Sequence, residues 1–267
     1  MTSDRFAFGA NWARFLDQLD DARIETAERS LVDALGGAAA LEGRDFIDVG
    51  SGSGLSSLAA RRLGARVTSF DYDAESVACT TELRRRYFPA DPRWRVEQGS
   101  ALDDEFIAAL GTFDVVLSWG VLHHTGDMWH ALGNAGRLVA PGGLLYIAIY
   151  NDQGRPSQRW ALVKRLYNRA PGPVQPAIAA AFLPRLWAGP LLRDALRRKP
   201  FASWREYRQA RGMSPWIDVV DWVGGYPFEV AKPEQIFDFY TGRGFALRWL
   251  RTCGGGLGCN EFVFLRT

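Results

Sequence analysis

The stretch from Phe46 to Gly54, FIDVGSGSG, constrains this chain more than any other. Its apolar run ends at Val49 and suits a buried parallel strand. Glycines at 50, 52 and 54 then let the backbone turn sharply and approach a ligand with no Cβ in the way. LSSLAARRL, 55–63, follows with helical spacing. Strand, glycine turn and helix make the first half of a nucleotide-binding βαβ unit, whose ligand sits at the carboxyl end of the strand. The expectation is an α/β fold on a mostly parallel sheet.

The ligand is narrowed by two residues. The dinucleotide fingerprint GxGxxG needs a glycine three places after Gly52, where this chain has Leu55. Asp48, two residues before the first glycine, sets a carboxylate where a pyrophosphate would meet like charge, at a cost of several kcal/mol for an effective ε near ~20. A cationic ligand is favoured instead. DVGSGSG resembles the DxGxGxG motif of class I S-adenosylmethionine (SAM) dependent methyltransferases, whose methyl donor carries an ammonium and a sulfonium. An ordinary strand-to-helix turn with an N-cap aspartate is the plainer alternative. The resemblance implies S-adenosyl-L-methionine as cofactor, with Asp48, Gly50, Ser51, Gly52 and Gly54 around it.

ARVTSFD, 65–71, reads as a second strand ending in an acid nineteen residues beyond Gly52. An acid there accepts two ribose hydroxyls in a bidentate hydrogen bond. Asp71 is that candidate, with Tyr72 beside it to pack on adenine and Asp73 as the N-cap of the next helix. WRVEQ, 94–98, makes a third strand. Ser100 and Ala101 follow where many members of the resembled family carry an aspartate for the adenine amino group. This departure leaves Ser100, or Asp103, to take that contact.

FDVVLS, 113–118, is a fourth strand, followed by Trp119, a further cofactor candidate, and then VLHHTGD. This segment is similar to the branch containing ubiquinone-type methylases. It lacks the PPY-type turn of base-amine methylases, the paired glutamates of arginine methylases and the aspartate of metal-dependent catechol types. His124 and His123 are candidate general bases, with packing against a tight turn as the alternative for each. APGG, 140–143, reads as a turn before a fifth strand, LLYIAIY, 144–150. Tyr150 and Asp152 emerge from it as further candidate bases, in that order. Asn151 and Asp152 with no acidic partner after strand four make a poor magnesium site, so no metal is expected.

Residues 1–40 form an expected helical cap, in which Asn11, Trp12 and Arg23 are candidate lid residues or core. Residues 154–230 replace a short crossover with a helical insertion broken by prolines 171, 173, 176, 184, 190 and 200. An insertion of this length is commonly functional, as a substrate lid or interaction surface. Its arginines at 193, 197, 198, 205, 208 and 211 suit either a solvated face or contact with an anionic substrate or membrane. DWVGGYPFEV, 221–230, has the composition of a substrate lid or a tight structural loop. FALRWLR, 245–251, and NEFVFLR, 260–266, alternate as strands. They match the terminal antiparallel pair of the resembled family. The fold expected is therefore a single domain, 1–267, with a Rossmann-like seven-stranded mostly parallel sheet, an antiparallel terminal strand, N-terminal helices, and the insertion between strands five and six.

Composition bears mainly on what is excluded. A net charge of +2 does not point to a nucleic-acid partner. Three cysteines without CxxC spacing suit neither a disulfide framework nor zinc, and fit a reducing cytoplasm. No apolar signal core or membrane-length run is visible, so a soluble, unprocessed chain is expected. The function expected is methyl transfer to a small-molecule acceptor, most readily at oxygen, by in-line displacement. A peptide or RNA methylase docking through the basic insertion, a non-catalytic SAM-binding protein and, last, a nicotinamide oxidoreductase are the alternatives.

Overall fold

The computed structural model describes Phe6, Leu16, residues 19–205 and residues 215–267. Asn11, Trp12, Arg208 and Arg211 lie outside the described residues. The first helix expected before the sheet falls largely outside them as well. The second is α1 (Asp21–Leu35), which buries Ile24, Leu31 and Leu35 along one face. Asp20 accepts from the Arg23 amide at its start, and left-handed Gly36 closes it.

Four βα units and a fifth strand follow: β1 (Asp45–Val49), α2 (Leu55–Arg62), β2 (Arg66–Asp71), α3 (Ala74–Tyr87), β3 (Trp94–Gln98), α4 (Asp104–Leu110), β4 (Phe113–Trp119), α5 (Met128–Arg137) and β5 (Val139–Tyr150). The insertion contributes α6 (Arg155–Arg169), α7 (Gln175–Leu196) and α8 (Pro215–Gly224). The chain closes with α9 (Pro233–Thr241), β6 (Phe245–Arg251) and β7 (Cys259–Arg266). Strand order is β3-β2-β1-β4-β5-β7-β6, with β1 to β5 parallel and β7 antiparallel to both β5 and β6. The chain runs outward from β1 to β3 and then returns to β4 beside β1. The crevice at that reversal is where an open parallel sheet receives its ligand.

Helices on both faces require strands apolar on both sides. Ile47 and Val49 of β1 face one core with Val116, Leu132 and Ile147, while Phe46 faces the other with Leu58, Leu83 and Trp94. Burying each aliphatic side chain contributes roughly 1.5–3 kcal/mol, so the period-two alternation fixes the register.

Two elements depart from expectation. The APGG segment lies inside β5, where the register to β4 jumps between Phe113↔Val139 and Val115↔Leu144. A Cβ on Gly143 would stand 2.9 Å from the carbonyl oxygens of Ala140 and Asp114, so this irregularity requires close backbone approach. Pro184 and Pro190 sit within one 22-residue helix rather than interrupting it. The insertion has a small core of its own, in which Ala179 and Trp187 of α7 pack with Trp160, Tyr167, Val219 and Val223. That burial offsets a helix-interior cost of ~3 kcal/mol per proline.

Candidate functional site

The carboxyl ends of β1, β2, β4 and β5 open into a cleft of about 1700 Å³, roofed by α7 and α8. Gly50 and Gly52 at its floor, and Gly54, which lies off the cleft lining, all have positive φ, of 79°, 53° and 80°. A Cβ on Gly50 would lie 2.3 Å from Val121 Cγ1, and one on Gly54 2.9 Å from Thr80 Cα. At Gly50 and Gly54 a side chain is thus barred both by conformation and by the neighbours that press on the loop, and at Gly52 by conformation. The amides of Gly50 and Ser51 both donate to the Phe70 carbonyl, at 2.9 and 3.0 Å, which ties the loop to the end of β2.

Asp48 lies beneath this loop and is only 3% exposed. Its carboxylate accepts from Ser57 Oγ at 2.6 Å. Ser57 in turn accepts from Ser69, which accepts from the Trp94 indole. Burial raises the Asp48 pKa to about 7, the Ser57 bond opposing the rise and the nearby Asp71 charge adding to it. An acid so poised is easily ionised by a neighbouring cation.

Asp71 ends β2 and lines the same cleft. Its two oxygens accept from the amides of Gly52 and Asp73, both at 2.9 Å. The β2 acid therefore fixes the glycine loop as well as facing the ligand space, a double role invisible in the sequence. Tyr72, 58% exposed, and Trp119, 51% exposed, flank the opening with their rings largely in solvent. Asp73 caps α3 through the Glu75 amide, as its position predicts. Ser100 and Ala101 line the cleft, but Ser100 Oγ is engaged by the Leu102 amide at 3.1 Å. Asp103 caps α4 and lies off the cleft lining.

The two histidines occupy different environments. His124 lines the cleft, and its Nδ1 is 2.6 Å from the Pro227 carbonyl. A carbonyl only accepts, so Nδ1 carries the hydrogen and Nε2 is the basic nitrogen of the neutral ring. His123 is fully buried and off the cleft lining. Its Nδ1 accepts from the Tyr150 amide at 3.4 Å, while its Nε2 is buried with no hydrogen-bond partner among the described residues. Burial, then the charges of His124 and Lys164, hold its pKa well below the ordinary histidine value. His123 is thus neutral packing beneath Tyr150, with ring centroids 4.0 Å apart.

Tyr150 lines the cleft, its ring 5.5 Å from His124 and 5.6 Å from Trp222. Asp152 does not: its Oδ1 accepts from the Gly154 amide at 2.7 Å and shapes the turn into α6. The segment 226–229 is fastened to the histidine turn rather than suspended over it. The Glu229 amide donates to the His123 carbonyl, and the Glu229 carboxylate accepts from the amides of Gly126 and Met128. Lys164, buried, donates to the Trp222 carbonyl and lies over the rings of Trp222 and Phe228 at 4.7 and 4.8 Å. Arg23, the remaining candidate lid residue, pairs with Asp20 at 2.9 Å and lies off the cleft lining.

Several residues of the cleft carry no local signal. Val121 fills the space that Gly50 leaves. Gln98 donates to the Tyr72 carbonyl at 3.1 Å, and Gly99 abuts the Phe106 ring, 2.2 Å from where its Cβ would be. Trp187, Val219 and Trp222 come from the insertion to give the cleft an apolar wall. Only spacing relative to the glycine loop could have pointed to Gln98 and Gly99. Nothing in the sequence pointed to the wall residues as partners of one another.

The cleft fits an adenosyl sulfonium ligand on its own chemistry: a glycine loop at positive φ that leaves its backbone open to a ligand, a buried acid that a cation would ionise, and a β2 acid lining the rim. A family model described as a methyltransferase domain matches residues 47–145. A ubiquinone biosynthesis O-methyltransferase of Rhizobium rhizogenes is 34% identical over 113 residues, 42% of this chain and 43% of that protein. One from Paramagnetospirillum magneticum is 36% identical over 122 residues, 45% of each. The chain thus spans less than half the length of the curated relatives it matches. The magnesium protoporphyrin IX methyltransferase ChlM of Synechocystis PCC 6803, solved with bound SAH, superposes with a TM-score of 0.56 at 13% identity, over 97% of this chain and 95% of that one. That likeness is one of fold. Sheet order and glycine loop agree with the family match, which sets a methyltransferase domain over residues 47–145, the segment that holds the glycine loop and the histidine turn.

Proposed function

We propose that the protein transfers a methyl group from SAM to a hydroxyl of a small, largely apolar acceptor. The observation that carries this reading is His124, whose Nδ1–H is committed to the Pro227 carbonyl, so that its basic nitrogen belongs to a ring lining the cleft beside Tyr150. Asp48, Asp71 and the glycine cradle would hold the donor, with Tyr72, Ala101 and Trp119 about its adenosyl end. When bound, SAM supplies a methyl group already activated by its sulfonium. The protein then has to align the acceptor oxygen, exclude water and take one proton. Trp187, Trp222 and Tyr150 supply the apolar wall that seats the acceptor. His124 Nε2 takes the hydroxyl proton, and the Pro227 carbonyl stabilises the imidazolium through Nδ1–H.

The test uses labelled SAM with phenolic and alcoholic acceptors, on wild type and His124→Ala. The variant should keep donor binding, read as the melting shift given by SAH, which linkage sets at about 2.7 kcal/mol when SAH is at one hundred times its Kd. Its turnover should fall by roughly 10² to 10⁴, and the deficit should shrink as pH approaches the acceptor's own pKa. Turnover unchanged in the variant overturns the role of His124. A melting shift with NAD and none with SAM or SAH overturns the methyl-transfer reading itself.

A further inference from the structure

The insertion is charged out of proportion to the chain. Residues 154–230 hold thirteen Lys and Arg against five Asp and Glu, whereas the whole protein is only +2. The excess peaks where α7 ends. Between Leu191 and Arg205 five cations, Arg193, Arg197, Arg198, Lys199 and Arg205, stand against the single acid Asp194. Asp194 is 4% exposed and spent internally, accepting from the Ser203 amide at 2.7 Å and Ser203 Oγ at 2.6 Å. The Lys199 amide also donates to the Asp194 carbonyl. These bonds fold residues 194–203 into a defined turn.

That turn displays apolar side chains outward. Leu192, Leu196 and Phe201 are 63%, 78% and 61% exposed, beside four of the five cations. Large apolar groups on so constrained a turn lose area to water that a partner would recover. Pro190, Arg193 and Ser203 of the same segment line the cleft, so the turn adjoins the cleft mouth. Among the described residues no helix is long and apolar enough to cross a bilayer.

We propose that this tip, Leu192 to Phe201, docks the protein on an anionic lipid bilayer. Leu196 and Phe201 enter the headgroup boundary, and the arginines and Lys199 meet lipid phosphates. Apolar insertion combined with a cluster of cations is the pairing that interfacial attachment needs. The cleft mouth then faces the membrane, and an amphiphilic acceptor reaches it without crossing water. The charge points to an anionic surface, since the one acid in the tip is buried.

The experiment is co-sedimentation of the full chain with phosphatidylcholine vesicles, with and without phosphatidylglycerol. Binding is expected to the anionic vesicles, to be much weaker to pure phosphatidylcholine, and to fall between physiological salt and ~1 M, where the Debye length shrinks from about 8 to 3 Å. Arg197→Glu/Arg198→Glu should lower partitioning at least roughly tenfold, as each cation near the surface contributes on that scale. Leu196→Glu/Phe201→Glu should do the same. The SAH melting shift serves as the folding control for both variants, and should not move. Absence of pelleting, equal pelleting with both vesicles, or pelleting unaffected by either variant overturns the proposal. So does a dimer in sedimentation equilibrium that Leu196→Glu/Phe201→Glu dissociates while vesicle binding stays absent.

Discussion

Replacing Asp48 with Asn separates the stability of the empty cleft from its affinity for a cation. The amide keeps an acceptor for Ser57 Oγ and removes the charge. Because the folded pKa is raised from 3.8 to about 7, the unfolded chain releases its proton first as pH rises. The contribution of Asp48 to stability is therefore most favourable in acid, falls between about pH 4 and pH 7, and stays low above. At about 1.36 kcal/mol per tenfold change, the loss is ~1 kcal/mol near pH 4.5 and ~4 kcal/mol near pH 8. Asn has no such slope. The unliganded variant should thus gain on wild type by about 3 kcal/mol more near pH 8 than near pH 4.5, which urea unfolding at both pH values resolves. Other titrations, including that of buried His123, cancel because the two proteins are compared at each pH. SAM affinity of the variant should fall at least ~10-fold near pH 8, since a charge next to the donor is gone. In wild type, SAM binding near pH 7 should release a proton, seen as a buffer-dependent heat in calorimetry. A stability gap that is the same at both pH values, with no proton release, would refute the account of Asp48.

Other perturbations test neighbouring parts of the site. Asp71→Ala orphans the amides of Gly52 and Asp73 and should cost about 1–3 kcal/mol of stability. SAH affinity by calorimetry should also fall at least ~10-fold, and unchanged affinity in a folded variant would place the ribose elsewhere. Gly50→Ala puts a Cβ 2.3 Å from Val121 at a φ of 79°, so a loss of roughly 2–4 kcal/mol is expected. Adding Val121→Ala should restore part of it in thermal melts, and no restoration would show that conformation alone is at fault. His123→Ala should lower stability by about 2 kcal/mol or more. The folded His123 pKa is depressed, so its contribution is full above the ordinary histidine pKa and lost as pH falls below it. The variant should lack that acid slope, and a slope identical to wild type would mean that His123 is not buried neutral.

What the sequence determined by itself is what local chemistry dictates. A glycine turn after an apolar run can only be strand, loop and helix at close backbone approach, and the three positive φ values follow from that. Asp71 at the end of β2, the cap at Asp73 and the alternating terminal strands were legible for the same reason. Each depends on neighbours a few residues away. The histidines show where this ends. His123 and His124 are adjacent and identical in type, yet one is sealed under Tyr150 and the other lines the cleft. The difference comes from Pro227 and Tyr150, 103 and 27 residues away in their contacts. Likewise the pKa of Asp48 depends on how deeply the sheet buries it. The roof of the cleft depends on Trp187 and Trp222 being brought to its lining by an insertion whose prolines read as breaks. Tertiary structure alone decided these points, because burial and long-range hydrogen bonds are properties of surfaces brought together and leave no periodic mark along the chain.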